Sequence, residues 1–266
     1  MVYADLHVHT RNSDGELALA DLPAAATEAG VRVVGVTDHD RLHPGLDAPV
    51  TERDRITVVH GIELRVEAPG GQRVDLLAYG LEPTAALRTE LDRLQRDRVE
   101  RGRKIVECVE DRLGVDLDVP IRPGIGRPHI ARAVSDHPET SFEDPDAVFE
   151  GLIGNGGPCF VARDVPSFAD GVGLLRESSA IVGLAHPFRY GDPEAALDLC
   201  ADLDAVERYY PYDRHDPVDM DLIDAAIDEY DLLATGGSDA HDHRLGQAGL
   251  SKAEYELITA TLPPMS

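Results

Sequence analysis

Lysine is nearly absent from this chain. Lys104 and Lys252 are the only two in 266 residues, and arginine supplies the rest of the basic charge. Against 25 Lys and Arg stand 50 Asp and Glu, a formal net charge of -25. So acidic a surface repels polyanions, which disfavours broad binding to nucleic acid, duplex DNA included. It resembles surfaces that work in high salt, where self-repulsion is screened, so a halophilic source is expected. Cysteine is scarce too. Cys108, Cys159 and Cys200 are isolated, odd in number and without a CxxC pair. That pattern argues against a thiolate metal site and against a disulfide framework. No stretch approaches the roughly 18 apolar residues of a membrane helix, and Met1-Val-Tyr-Ala-Asp does not read as a signal peptide. A soluble, cytoplasmic protein with no membrane partner is expected. Nothing in the composition indicates an oligomeric state.

What is present begins with residues 3–14, Tyr-Ala-Asp-Leu-His-Val-His-Thr-Arg-Asn-Ser-Asp. His7 and His9 stand two apart on a short strand pattern, so both imidazoles leave one face. A Ser-Asp-Gly turn then brings in Asp14. Two histidines and a carboxylate this close form the start of a cage for zinc, manganese or iron. Two satisfied histidines on a half-exposed strand are the bland alternative.

Several later apolar runs end in the same residue types. Val31 to Val36 meets Asp38, His39 and Asp40; Ile56 to Val59 leads to Glu63; Val74 to Leu81 carries Asp75. Ala180 to Ala185 ends at His186, Leu203 to Val206 near Glu207 and Tyr210, and Leu232 to Thr235 at Asp239 and His241. Helical patterns separate them, at Ala18 to Ala29 before a capping Gly30, Pro193 to Ala201 and Pro217 to Tyr230. Alternating strands and helices imply βαβ units and a parallel sheet. Polar residues gathered at successive strand ends mark the active face of a barrel.

The 42% hydrophobic content and 266-residue length fit one large α/β domain or a domain plus an insertion. Residues 84–175 differ from the rest. A long amphipathic helix over Thr84 to Leu113 precedes a Gly-, Pro- and Asp-rich segment with short helical patches. The expected division is 1–83 with 176–266 as a barrel and 84–175 as an inserted, mainly helical subdomain.

The ordered set DLHVHT, SDG, VTDHD, GIEL, RPHIA, LAHP and GGSDAH resembles the PHP (polymerase and histidinol phosphatase) superfamily. RPHIA, the RGRK helix and GLAHPFRY look like its branch acting on nucleoside phosphates or RNA ends. The resemblance implies a distorted, TIM-barrel-like (β/α)7 barrel binding two or three divalent ions (Zn, Mn or Fe). His7, His9, Glu63 and Asp239 would hold one ion, and Asp14, His39 and His241 another. A third would share Glu63 with His129 or His186. Many relatives have a histidine where this chain has Asp75. The implied activity is hydrolysis of a phosphate ester by metal-activated water. The substrate is a mononucleotide, a 3',5'-bisphosphate or a 5'-phosphorylated RNA or oligonucleotide end, the last an exonuclease-like case. A histidinol-phosphatase-type enzyme and a non-catalytic PHP binding module are the alternatives. Glu63, His186 and His129 are the candidate catalytic residues: Glu63 as the bridge, the histidines as ligand, phosphate contact or acid.

A guanidinium fork matches phosphate oxygens, so the arginines are candidate phosphate contacts. Arg88 to Lys104 holds Arg88, Arg93, Arg96, Arg98, Arg101, Arg103 and Lys104 against Glu90, Asp92, Asp97 and Glu100. Arg98 and Arg101 are best spaced to share a face, with Arg127 and Arg163 as further candidates. A solvated helix laced by ion pairs is the plain alternative. Other histidines read as structural, although His215 follows a strand end.

Overall fold

The structure, a computed structural model, describes residues 1–212 and 218–265; His215 lies outside them. The chain divides into two compact units, Met1–Thr89 with Val165–Ser266, and Glu90–Asp164.

The first unit is an eight-stranded sheet: β1 (Ala4–Val8), β2 (Val33–Val36), β3 (Val50–Arg53), β4 (Ile56–Glu67), β5 (Arg73–Tyr79), β6 (Ile181–Leu184), β7 (Ala205–Tyr209) and β8 (Leu233–Gly236). Seven strands follow the order β1-β2-β4-β5-β6-β7-β8, with β3 paired to β4 through a two-residue turn. That turn places Asp54 and Arg55 at positive φ, 44° and 72°, as a tight hairpin's twist requires. The sheet curls until β1 meets the loop after β8, where His9 N–H donates to the Ala240 carbonyl at 2.9 Å. The fold is thus the expected distorted α/β barrel.

Its strands are not all parallel, contrary to the reading of simple βαβ repeats. β5 runs antiparallel to both β4 and β6. The connection explains this: β4 turns straight back through Pro69-Gly70-Gly71, with both glycines at positive φ, and no crossover helix intervenes. Residues of period two divide β1. Ala4 and Leu6 enter an apolar cluster with Val33, Val59, Leu77 and Ala205, while Asp5, His7 and His9 leave the other face, all fully buried.

Helix α1 (Leu22–Ala29) ends at Gly30 with φ 74°, the left-handed cap the sequence predicts. Beyond the second unit, α5 (Phe168–Arg176) lies so close to the sheet that a Cβ on Gly171 would meet Val66 at 2.5 Å. Helices α6 (Pro193–Asp198), α7 (Met220–Tyr230) and α8 (Lys252–Thr259) complete this unit. No helix among the described residues is long and apolar enough to cross a membrane.

The second unit holds most of α2 (Ala85–Leu113), with α3 (Arg127–Ser135), α4 (Pro145–Val148) and a π-helical turn at Phe149–Ile153. Its core joins Ile105, Val109, Ile125, Ile130, Val134, Val148 and Ile153. The reading of three isolated cysteines fails here. Cys108 on α2 forms a disulfide with Cys159, their Cα atoms 5.6 Å apart, closing a separation of 51 residues. Only Cys200 is free, and it is buried. Local spacing carries no sign of such a pairing, because the folded core brings the two cysteines together.

Candidate metal centre

His7 and His9 come from the end of β1, His39 from the residues after β2, and Glu63 from the middle of β4. His186 follows β6, Glu207 lies on β7, and Asp239 and His241 follow β8. Asp75 sits near the start of β5, yet it reaches the same face because that strand runs in reverse. Backbone strain concentrates here too: Asp40, His186 and Asp239 all have positive φ (49°, 27° and 49°), a conformation side chains disfavour away from functional sites. Gly237 is needed before Asp239, since a Cβ there would meet the His7 backbone nitrogen at 2.3 Å.

Four groups of ligand atoms lie within 4.8 Å of one another: His9, Asp14, His39 and His241; His7, His186 and Asp239; His7, His9 and Glu63; and Glu63, Asp75 and His186. Glu63 is the hub. Its Oε2 lies 2.8 Å from His39 Nδ1, 3.3 Å from His9 Nε2 and 3.5 Å from His7 Nε2. Its Oε1 lies 3.0 Å from His186 Nε2. Asp239 Oδ1 faces His9 at 3.1 Å, His7 at 3.5 Å and His241 at 3.6 Å. Asp14 approaches His241 at 3.5 Å and His39 at 3.8 Å. All seven expected core residues therefore converge. His9 joins Asp14, His39 and His241, a membership its sequence position does not reveal.

Charge in this cluster requires compensation. Burial pushes the carboxyls of Asp14, Glu63 and Asp239 upward, but neighbouring imidazoles hold all three below the ordinary range. His7 is raised well above its usual value, because Glu207, Asp239 and Glu63 outweigh the burial that opposes its charge. His9 is lowered, by burial first and then by His39 and His241. His7 Nε2 and His9 Nε2 stand 3.1 Å apart, which two lone pairs would not tolerate without a proton or cation between them. Among the described residues, buried His9 Nδ1 and Asp14 Oδ1 have no hydrogen bond, and Glu63 Oε2 meets the His39 nitrogen outside hydrogen-bond geometry, a costly state unless an ion completes them. Nitrogen and oxygen donors without thiolate fit a divalent ion of the zinc, manganese or iron kind.

Around these donors, buried carboxylates fasten the loops. Asp38 accepts from Thr10 N–H at 2.7 Å, Ser13 Oγ at 2.8 Å and Asn12 Nδ2 at 3.0 Å, fixing the turn that carries Asp14. Asp5 accepts from Ser238 N–H, Ser238 Oγ and Gly246 N–H, holding the loop of Asp239 and His241. Asp75 pairs with Arg65 opposite it, Nε to Oδ1 at 2.7 Å and a second bond to Oδ2. Arg189 reaches Asp239 Oδ2 and the Tyr210 hydroxyl, each at 3.0 Å. Arg65 and Arg189 escaped the sequence reading, which marked Glu207 only as a carboxylate near a strand end; the run His186-Pro187-Phe188-Arg189 hinted that a cation follows the strand end.

The other expected site residues belong to the second unit. Arg98 and Arg101 are buried, not solvated: Arg98 donates to the Ile125 carbonyl at 3.3 Å and Arg101 to the Val161 carbonyl at 2.7 Å. Burial, with Arg127, Arg163 and Arg98 nearby, pushes Arg101 down to about 9. Arg127 donates to the Ile153 carbonyl and lies over the rings of Phe149 and Phe160. Ion pairs of the plain kind occupy Arg93 and Arg103, with Glu90 and Glu100. His129 opens α3 and accepts the Gly126 N–H at Nδ1, 3.1 Å away. It is in none of the four ligand groups among the described residues.

Comparison with known proteins agrees with this geometry. Residues 5–116 match the model of the PHP domain. The chain is 29% identical to the phosphoribosyl 1,2-cyclic phosphate 1,2-diphosphodiesterase of Eggerthella lenta, covering 89% of this chain and 93% of that protein. It is 27% identical to the 3',5'-nucleoside bisphosphate phosphatase of Chromobacterium violaceum, over 91% and 88%. A 5'-3' exoribonuclease of Haemophilus influenzae is 25% identical over 70% and 69%. Among solved structures, a Bifidobacterium adolescentis protein provisionally named a metal-dependent phosphoesterase superposes with a TM-score of 0.83 at 22% identity, covering 99% and 97%. By its ordered motifs and the domain match, residues 5–116 are similar to the PHP domain, and most of the chain is similar to proteins named as phosphatases and phosphodiesterases.

Proposed function

We propose that this chain is a PHP-type phosphoric ester hydrolase that acts on a nucleotide phosphate. The candidate substrates are a mononucleotide, a 3',5'-bisphosphate and a 5'-phosphorylated RNA or oligonucleotide end. The observation that carries the reading is the buried convergence of imidazoles and carboxylates on Glu63, with Asp14 Oδ1 and His9 Nδ1 left without hydrogen bonds among the described residues. His7, His9, Asp14, His39, Glu63, His186, Asp239 and His241 would hold two or three divalent ions. Asp75, already paired with Arg65, is a weaker donor. When bound, such ions supply an acidified water near neutral pH and positive charge for the phosphoryl oxygens.

The chain's own groups do the rest. Glu63 spans the cluster, one oxygen toward His186 and the other toward His39 and His9. His186 serves as a ligand or as the acid that protonates the leaving oxygen. His129, outside the cluster, is kept as the second candidate for that proton. Arg189, about half exposed, keeps Nε and Nη2 without partners among the described residues and offers them to a phosphate. Arg98, Arg101, Arg127 and Arg163 are assigned to a substrate phosphate on the same chemistry. The names of the three curated relatives support a phosphate-ester substrate, and two of them a nucleotide or RNA one.

The test is phosphate release from a mononucleotide, a 3',5'-bisphosphonucleotide, a 5'-phosphorylated RNA oligomer and histidinol phosphate. Turnover of a nucleotide substrate that falls at least about 100-fold in Glu63→Ala is expected. Turnover of histidinol phosphate alone would overturn the nucleotide assignment.

A further inference from the structure

We infer that Glu207 is a positioning residue that sets His7 and His186 together for the ions this centre would hold. The inference rests on the metal-centre reading above. Glu207 is fully buried on β7 and belongs to none of the four ligand groups among the described residues. Its Oε1 lies 2.9 Å from His7 Nδ1, and its Oε2 accepts the His186 backbone N–H at 2.9 Å.

Oε2 accepts the His186 backbone N–H, and Oε1 accepts from His7 Nδ1 in the tautomer assigned here. A proton fixed on His7 Nδ1 leaves Nε2 as the ligand atom. That atom is the one directed at His9, Glu63 and Asp239, 3.1, 3.5 and 3.5 Å away. The second bond acts on backbone. His186 has φ 27° and ψ 62°, a region that crowds a Cβ. Tying its N–H to Glu207 helps hold that turn, which delivers the His186 ring to within 3.0 Å of Glu63 Oε1. One carboxylate thus fixes the tautomer of a histidine in two ligand groups and the backbone of another. Carboxylates behind metal-binding histidines typically change affinity by about 10- to 100-fold.

Glu207→Gln keeps the shape but offers one acceptor oxygen where two are needed. Either the amide opposes the His186 N–H, or His7 must shift its proton to Nε2 and lose its ligand atom. Full-length protein, stripped of metal, is titrated with Zn²⁺ against a chromophoric chelator, with thermal unfolding to confirm the fold. The expected result is a fall of about 10- to 100-fold in affinity for every ion bound. Nitrogen-15 NMR of the zinc-loaded wild type is expected to show the His7 proton on Nδ1. That signal keeps the inference testable if the variant fails to fold. Equal zinc affinity in both proteins, loss of one ion with the others unchanged, or a His7 proton on Nε2 would overturn it. A wild type that binds no divalent ion would instead remove the reading beneath it.

Discussion

His60 lies three residues before Glu63 on β4, buried, with an Nε2 that finds no hydrogen bond among the described residues. Burial, then the charges of His43 and Arg88, push its pKa down to about 4 against the pull of Asp38. The unfolded chain takes up this proton near pH 6.5 and the folded chain only near 4. Stability is therefore full above 6.5 and declines as pH falls toward 4, by about 3 kcal/mol from this group. Urea unfolding of the metal-free protein at stepped pH should show that loss, and His60→Gln should flatten it. An unchanged slope would contradict the assignment. At this scale the sequence was informative wherever chemistry repeats locally. His7 and His9 announce themselves by spacing, and His39, His186 and Asp239 by following apolar runs. Glu207 was marked only as a strand-end carboxylate and Arg189 not at all, because their partners stand 200 and 50 residues away and only the curled sheet brings them close; Arg65 meets Asp75, 10 residues on, because β5 turns back on β4.

Strand identities were readable from apolar runs, but strand direction was not. Val74 to Leu81 looks the same in either direction, and only the Pro69-Gly70-Gly71 turn hinted that β5 returns on β4. That reversal puts Asp75 beside Arg65. The disulfide was hidden for a related reason: a separation of 51 residues leaves no local trace. Closing that loop is worth about 4 kcal/mol in the chain-entropy account. Reduction, or Cys108→Ser, should lower the denaturant midpoint of the unit holding Glu90–Asp164. The check is urea unfolding with and without a dithiol reductant; coincident curves would remove the stabilising role. The bond also pulls against the expectation of a cytoplasmic location, since disulfides persist in oxidising compartments.

Across the molecule, a formal charge of -25 sets the response to salt. The screening length falls from about 10 Å at 0.1 M to about 3 Å at 1 M, so repulsion among surface carboxylates should fade over that range. Melting temperature measured from about 0.1 to 2 M KCl should rise steadily; full stability in dilute buffer with no further gain would sink the halophilic reading. Within that anionic chain, the buried cluster around Glu63 is a cation's environment, and the account stands on it. The most direct measurement is phosphate release from a 3',5'-bisphosphonucleotide as metal-stripped protein is titrated with Mn²⁺ or Zn²⁺. The account predicts no release without metal and activity that grows as two or more ions bind per chain. Full activity in chelator, or ions bound without any release from a nucleotide substrate, would contradict it.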